Sequence, residues 1–229
     1  MRFDVTPAAL VLLVAACSTA PPDRIDALAS GNGFDLSDPN AFVVGADDVQ
    51  LVASADYAPP HRSPRAIALV DGTEFRSFTL DVDLMQTGRE YGHRDLCLFF
   101  GFESAARYYY VHMATTPDQN AHNVFLVDGA PRRNLMEPQA RGVDWGQEEW
   151  HHVRLVRDVD AGLIEVYFDD MQTPVLAAQD GAIEWGRIGF GSFDDTGRCR
   201  NMVVSAFQSR PVERSGSPFP SPASASDSD

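Results

Sequence analysis

Tyr108, Tyr110 and His112 stand two residues apart in the run YYYVHM, and Tyr109, Val111 and Met113 fill the gaps. In an extended chain, side chains alternate, so the first three share one face and the second three the other. Five of the six histidines fall between residues 93 and 152. Arg94 precedes the strand before this one, and His122 and Asn123 open the candidate strand after it. If the three strands are neighbours, Tyr110, His112, Arg94, Asn123 and His122 converge on one surface. Such a set suits two chemistries. A polysaccharide lyase uses Arg or Asn to neutralise a uronate carboxylate, His or Tyr to remove the C5 proton, and Tyr to protonate the leaving oxygen. A sugar-binding floor uses the same rings for stacking and the same polar groups for hydroxyls. A half-buried strand with Tyr and His at its rim has the same pattern, and spacing leaves all three readings open.

Other combinations are weaker. Glu165, Tyr167 and Asp169 share a strand face, but four residues of strand separate the carboxylates by roughly 13 Å of backbone. A retaining glycosidase needs its pair about 5 Å apart. His151 and His152 are adjacent and point to opposite faces, so a shared zinc is disfavoured. Asp194 and Asp195 in SFDDTG offer hard oxygen ligands, and a structural calcium is the one cofactor the sequence suggests; the same residues also make an ordinary turn. No Gly-x-Ser-x-Gly elbow is present. Cys97 lies among Leu96, Leu98 and Phe99, where burial raises a thiol. The cations are 18 Arg and no Lys, which excludes Schiff-base chemistry on a lysine.

The segments that would position these residues are strands. Candidates are Phe42 to Val52, Ile67 to Val70, Ser77 to Gln86, Leu96 to Glu103, Tyr108 to Thr115 and Asn123 to Val127. Further ones are Trp150 to Arg157, Leu163 to Phe168, Pro174 to Ala177, Gly186 to Phe193 and Met202 to Phe207. They are rich in Val, Ile, Phe and Tyr and are cut by Gly, Pro, Asn and Asp. In SFTLDVDLMQ, Phe78, Leu80, Val82 and Leu84 oppose Thr79, Asp81 and Asp83. Leu96 to Phe102 is apolar on both faces, as in a doubly covered strand. The turn Asp160-Ala161-Gly162 predicts a hairpin. The expected fold class is all-β, an antiparallel sandwich of two sheets, over residues 31–209.

The ends read differently. Ala8 to Ala16 is an apolar run too short to cross a bilayer, which takes roughly 20 residues. It ends in Val14-Ala15-Ala16-Cys17, which resembles a lipobox. Residues 1–17 are therefore expected to be a lipoprotein signal peptide, with Cys17 lipidated. Ser18 then implies sorting to the outer membrane. Residues 18–30 read as a tether, and residues 210–229, rich in Ser, Pro and Asp, as a disordered tail. Cys97 and Cys199 are either a disulfide or two separate buried thiols. The formal net charge of −15 disfavours nucleic acid and anionic membrane surfaces as partners, leaving the lipid as the only membrane contact.

The stretch WHHVRLVRDVDAGLIEVYFDD (Trp150 to Asp170) resembles the laminin-G-like and concanavalin A-like lectin/glucanase pattern. Asp95 to Ala114, His122 to Arg132 and Trp185 to Gly197 resemble exported bacterial members of that superfamily. The resemblance covers about residues 34–208 and implies a concanavalin A-like jelly roll. It also implies that Trp150 packs inside. The Glu-x-Asp-x-x-Glu motif of the superfamily's retaining glucanases is absent. The resulting expectation is an envelope-displayed module that binds a polysaccharide or other glycan without catalysis. A polysaccharide-degrading enzyme, lyase before glycosidase, and a structural or protein-binding module are the alternatives.

Overall fold

The computed structural model describes residues 22–28, 33–212 and 216–219. The strands are β1 (Asp23–Asp26), β2 (Phe34–Leu36), β3 (Phe42–Val44), β4 (Asp48–Leu51), β5 (Ala66–Val70) and β6 (Thr73–Phe75). Longer ones follow: β7 (Phe78–Gln86), β8 (Asp95–Ser104), β9 (Arg107–Ala114) and β10 (Asn123–Asp128). After the short β11 (Arg133–Asn134) come β12 (Trp150–Asp158), β13 (Leu163–Phe168) and β14 (Leu176–Gln179). The last are β15 (Arg187–Ser192), β16 (Gly197–Ala206) and β17 (Ser209–Pro211).

Two antiparallel sheets result. The first has the order β14-β13-β12-β7-β16-β4-β3, with β1 also on β16. The second has the order β11-β10-β9-β8-β15-β5-β2, and β17 pairs β6 in a small ribbon. The fold is the expected all-β sandwich. Alternation decides which face of the first sheet is buried. In β7 the inward residues are Phe78, Leu80, Val82 and Leu84, and the outward ones are Thr79, Asp81 and Asp83. In β12 the inward set is His151, Val153, Leu155 and Arg157. The outer face of this sheet is consequently polar.

The second sheet is covered on both sides, as the unbroken apolar run of β8 predicts. Leu96, Leu98, Phe100, Tyr109 and Val111 face the first sheet. Cys97, Phe99, Phe102, Tyr108, Tyr110 and Phe125 face the other way and form a second cluster with Tyr57 and Phe219. A cluster of this kind under a loop is a satellite core. Close approach within the sheet explains Gly191: a Cβ there would lie 1.8 Å from the Ala66 carbonyl oxygen.

Several boundaries differ from the sequence expectation. Where residues 18–30 read as a tether, Asp23–Asp26 pairs with Val203–Ala206 on the edge of β16. The same edge pairs with β4 over Gly197–Arg200, and Asn201 at φ 52° marks the irregularity between the two stretches. At the other end, where residues 210–229 read as a disordered tail, β17 reaches Pro211 and Phe219 is buried against Tyr57 and Phe102. The segment Phe42 to Val52 is split into β3 and β4 by a turn closed from Gly45 N to Asp48 O at 2.8 Å. Cys97 lies in the second sheet and Cys199 in the first, and both are free thiols. The apolar leader and Cys17 lie outside the described residues.

Candidate functional site

The face of β9 that carries Tyr110 and His112 is closed over by other side chains. Tyr110 stacks on Phe125 with ring centroids 5.0 Å apart. Its hydroxyl accepts from Arg132 Nη1 at 2.6 Å. The Arg132 guanidinium, reaching in from the β10–β11 turn, lies 4.5 Å from the Phe125 centroid and 4.9 Å from that of Phe193. Tyr110 is therefore fully buried, and burial holds its hydroxyl well above the usual tyrosine range despite the nearby Arg132.

His112 reaches a recess from this face. Its Nδ1 accepts the backbone N–H of His122 at 3.1 Å. A ring nitrogen that accepts carries no proton, so the neutral ring holds its proton on Nε2. That nitrogen faces Asp95 Oδ2 at 3.4 Å. Burial first, then the positive charge of Arg132, lowers His112 to about 3, so the ring is a neutral donor at physiological pH. His112 and Asp95 form the floor of a recess of about 200 Å³, walled by Phe193, Arg132, Asn120 and Tyr91 with Arg62, His93 and Asp194 around it.

The other expected residues have different places. His122 and Asn123 are fully buried and do not line this recess. His122 positions His112 through its backbone, and its Nδ1 accepts from Ala114 N at 3.4 Å. Asn123, directly across from His112 in the β9–β10 register, donates to Met136 O at 2.9 Å. Arg94 does not converge with them. Its side chain turns to a separate recess and donates to Gly146 O at 2.7 Å. Sequence reasoning missed Arg132, Phe193, Asp95 and Asn120, because they come from turns and strand ends that share no periodicity with β9.

An acidic cluster adjoins the floor. One carboxylate oxygen each from Asp95, Asp194 and Asp195 lie within 4.8 Å of one another. Asp95 Oδ1 accepts from Ser192 Oγ at 3.0 Å, and its Oδ2 accepts from the Cys97 thiol at 3.1 Å. Asp195 Oδ2 accepts from Asp95 N at 2.9 Å and from the Tyr91 hydroxyl at 2.8 Å. Burial pushes Asp95 well above the ordinary carboxylate range, and the charge of Asp195 adds to it. Asp195 is raised too, chiefly by burial. Two buried carboxyls this close hold a proton between them or take up a cation. Three hard oxygen donors fit calcium. Zinc on Asp95, Cys97 and His112 fits poorly, since the His122 N–H occupies Nδ1 and leaves the proton on the nitrogen that would have to bind metal.

No protein-family model matches this sequence, and no curated protein sequence matches it. Among solved structures the chain is similar to the carbohydrate-binding module CBM66 from Bacillus subtilis, with 15% identity over 66% of this chain and 92% of that one and a TM-score of 0.47. It is also similar to the exoplasmic/lumenal domain of VIP36 in its Ca2+/Man3GlcNAc-bound form, with 10% identity over 81% and 87% and a TM-score of 0.49. A third is a putative glycosyl hydrolase from Parabacteroides distasonis, with 10% identity over 76% and 88% and a TM-score of 0.48.

The first sheet carries further residues singled out in the sequence, on both of its faces. Trp150, which the family resemblance placed inside, is half-buried on the outer face, with the Arg200 guanidinium 4.0 Å from its ring centroid. Strand parity explains the correction: Trp150 shares the face of His152 and Arg154, while His151 points inward. His152 bridges Asp83 at 3.0 Å and Asp81 at 3.2 Å. His151 meets Asp169 at 2.8 Å and the Trp145 carbonyl at 3.1 Å. The two histidines thus serve different faces. Asp169 also accepts from His152 N at 3.0 Å, and Glu165 accepts from the Tyr167 hydroxyl at 2.8 Å. Each carboxylate has its own structural partner.

Proposed function

We propose that the recess over His112 binds a carbohydrate without transforming it, and that the chain carries this site as a lipid-anchored module of the cell envelope. The observation behind the binding reading is an aromatic wall, Phe193, set beside hydrogen-bonding groups already held in place. Arg132 is fixed by Tyr110 and by Asn120 O at 3.1 Å, and His112 by His122. A sugar presents apolar C–H patches and a ring of hydroxyls, and such a recess offers partners for both. The lyase alternative lacks a base: His112 Nδ1 is occupied and the Tyr110 hydroxyl is sealed under Arg132.

A hydrolase is the second reading, favoured by the raised carboxyls of Asp95 and Asp195, since glycosidic cleavage needs an acid that stays protonated near neutral pH. Calcium at Asp95, Asp194 and Asp195 belongs to the same proposal as a structural cation that orders the recess wall. Its affinity is expected to fall as pH is lowered, because protons compete for the same oxygens; calorimetric titration at pH 7.5 and pH 5 checks this.

The binding reading is tested by affinity electrophoresis of the mature chain against a panel of soluble polysaccharides. At least one is expected to retard it. Phe193→Ala should weaken that interaction by about 1–2 kcal/mol, a stacking magnitude. His152→Ala, on the other sheet, should leave it unchanged. A folded protein that no glycan retards would remove the reading. New reducing ends that disappear in Asp95→Asn would replace it with the hydrolase.

A further inference from the structure

Among the described residues three arginines are almost wholly buried, and their surroundings differ. Arg187 pairs with Asp35 at 2.7 Å and donates to the Val70 and Leu69 carbonyls. Arg157 donates to the carbonyls of Leu163, Asp180 and Ile183. Arg94 is 4% exposed, makes its one side-chain hydrogen bond to Gly146 O, and has an Nε with no partner. Among the described residues no carboxylate forms a salt bridge with it. A buried cation left with unused donors and no counter-charge is costly, and such a group is retained where something completes it.

Arg94 lines a recess of about 370 Å³ that is separate from the one over His112; its unpartnered Nε lies enclosed behind that surface. Arg89 stands on its wall, its guanidinium 5.0 Å from the Tyr91 ring centroid. Gln86, Thr87 and Gln147 add neutral polar groups to the lining. Two carboxylates lie at the rim, both exposed. Glu90 already accepts from Gln147 Nε2 at 3.4 Å. Glu148 sits in a left-handed backbone conformation at φ 53°.

We propose that this recess binds an oxyanion, taken up between the Arg94 and Arg89 guanidinium groups. Planar guanidinium donors match the paired oxygens of sulfate, phosphate and carboxylate. The same chemistry is offered by a free inorganic ion and by the acidic substituent of a sugar. The site shares neither Phe193 nor His112 with the carbohydrate recess, so each stands or falls separately.

Sodium sulfate is titrated into the mature chain by calorimetry and thermal unfolding, with sodium chloride holding ionic strength constant. A saturable one-to-one isotherm with a rise in Tm is expected. Arg89→Gln, at an exposed position, should weaken the affinity about tenfold or more while the protein stays folded. Arg94→Gln should abolish it, and Glu148→Gln, which removes a competing carboxylate, should tighten it. Sulfate stabilises many proteins non-specifically. Equal rises in Tm for the wild type, Arg89→Gln and Arg94→Gln would therefore overturn the proposal. So would a loss of stability in Glu148→Gln with no sulfate isotherm, since Glu148 would then be the counter-ion. Glucuronate and inorganic phosphate are used as competitors, with glucose as the neutral control. Displacement of sulfate by glucuronate identifies a sugar acid as the fitting source, and displacement by phosphate alone identifies the free ion; both uphold the site.

Discussion

The protonation of His112 and His122 is tied to folding through their burial. Burial lowers His112 to about 3 and His122 to about 4, whereas an unfolded histidine titrates near 6.5. The folded chain thus resists taking up protons that the unfolded chain accepts. Their contribution to stability is complete above about pH 6.5 and is lost as pH falls toward 4 and then 3. Asp95 and Asp195 have the opposite sign: their folded values are raised, so their contribution is present at low pH and fades as pH rises through those values. Between pH 7 and pH 5 the two pairs oppose each other, and the histidine part appears as the fall in Tm, measured by calorimetry, that removal of a buried imidazole relieves. The fall should be smaller in His122→Asn, which removes one buried imidazole. At this scale the sequence was partly legible. The alternation in YYYVHM placed Tyr110 and His112 together on one face. It was silent about Arg132 and Phe193, which cover that face from distant turns, because a side chain laid across a strand leaves no mark on the strand's own period.

The long strands were readable for a physical reason. Each of β7, β12 and β13 has one face in the inter-sheet core and one in water, so burial itself writes period two into the sequence. The doubly apolar run of β8 likewise announced a strand covered on both sides. Short pieces such as β1 and β17 lacked that signature. Asp23–Asp26 is mostly exposed and is held by backbone pairing to β16, which imposes little on side-chain type. Phe219 is an isolated aromatic in a Ser-Pro setting, and only its contact with Tyr57 and Phe102 explains it. A fragment of residues 31–209 omits both. It is expected to fold with β-rich circular dichroism but to melt below a fragment of residues 18–229. Phe219→Ala in the longer fragment should reproduce much of the difference, at a cost of about 2–3 kcal/mol for a truncated buried aromatic. Equal melting of the two fragments would show that neither end contributes.

At the scale of the whole molecule, the proposed lipid on Cys17 gives the β1 pairing a positional meaning. Replacing Cys17 with Ala is expected to move the protein from the membrane fraction to the soluble fraction; an unchanged partition and mass would end that proposal. With Cys17 as the acylated terminus, only Ser18 to Pro22 separate the acyl chains from Asp23. A stretch of that length spans about 17 Å at most, so under this proposal the domain would be moored close to the bilayer. The mooring point is the end of the first sheet where Asp23 meets Ala206 and Ala206 meets Phe78. The recess over His112 lies at the opposite end, where β7 closes at Gln86 and the chain crosses to Asp95. The length of β7, roughly 30 Å, lies between them, so the proposed lipid at one pole would hold the recess facing away from the bilayer and toward whatever polymer lies beyond it.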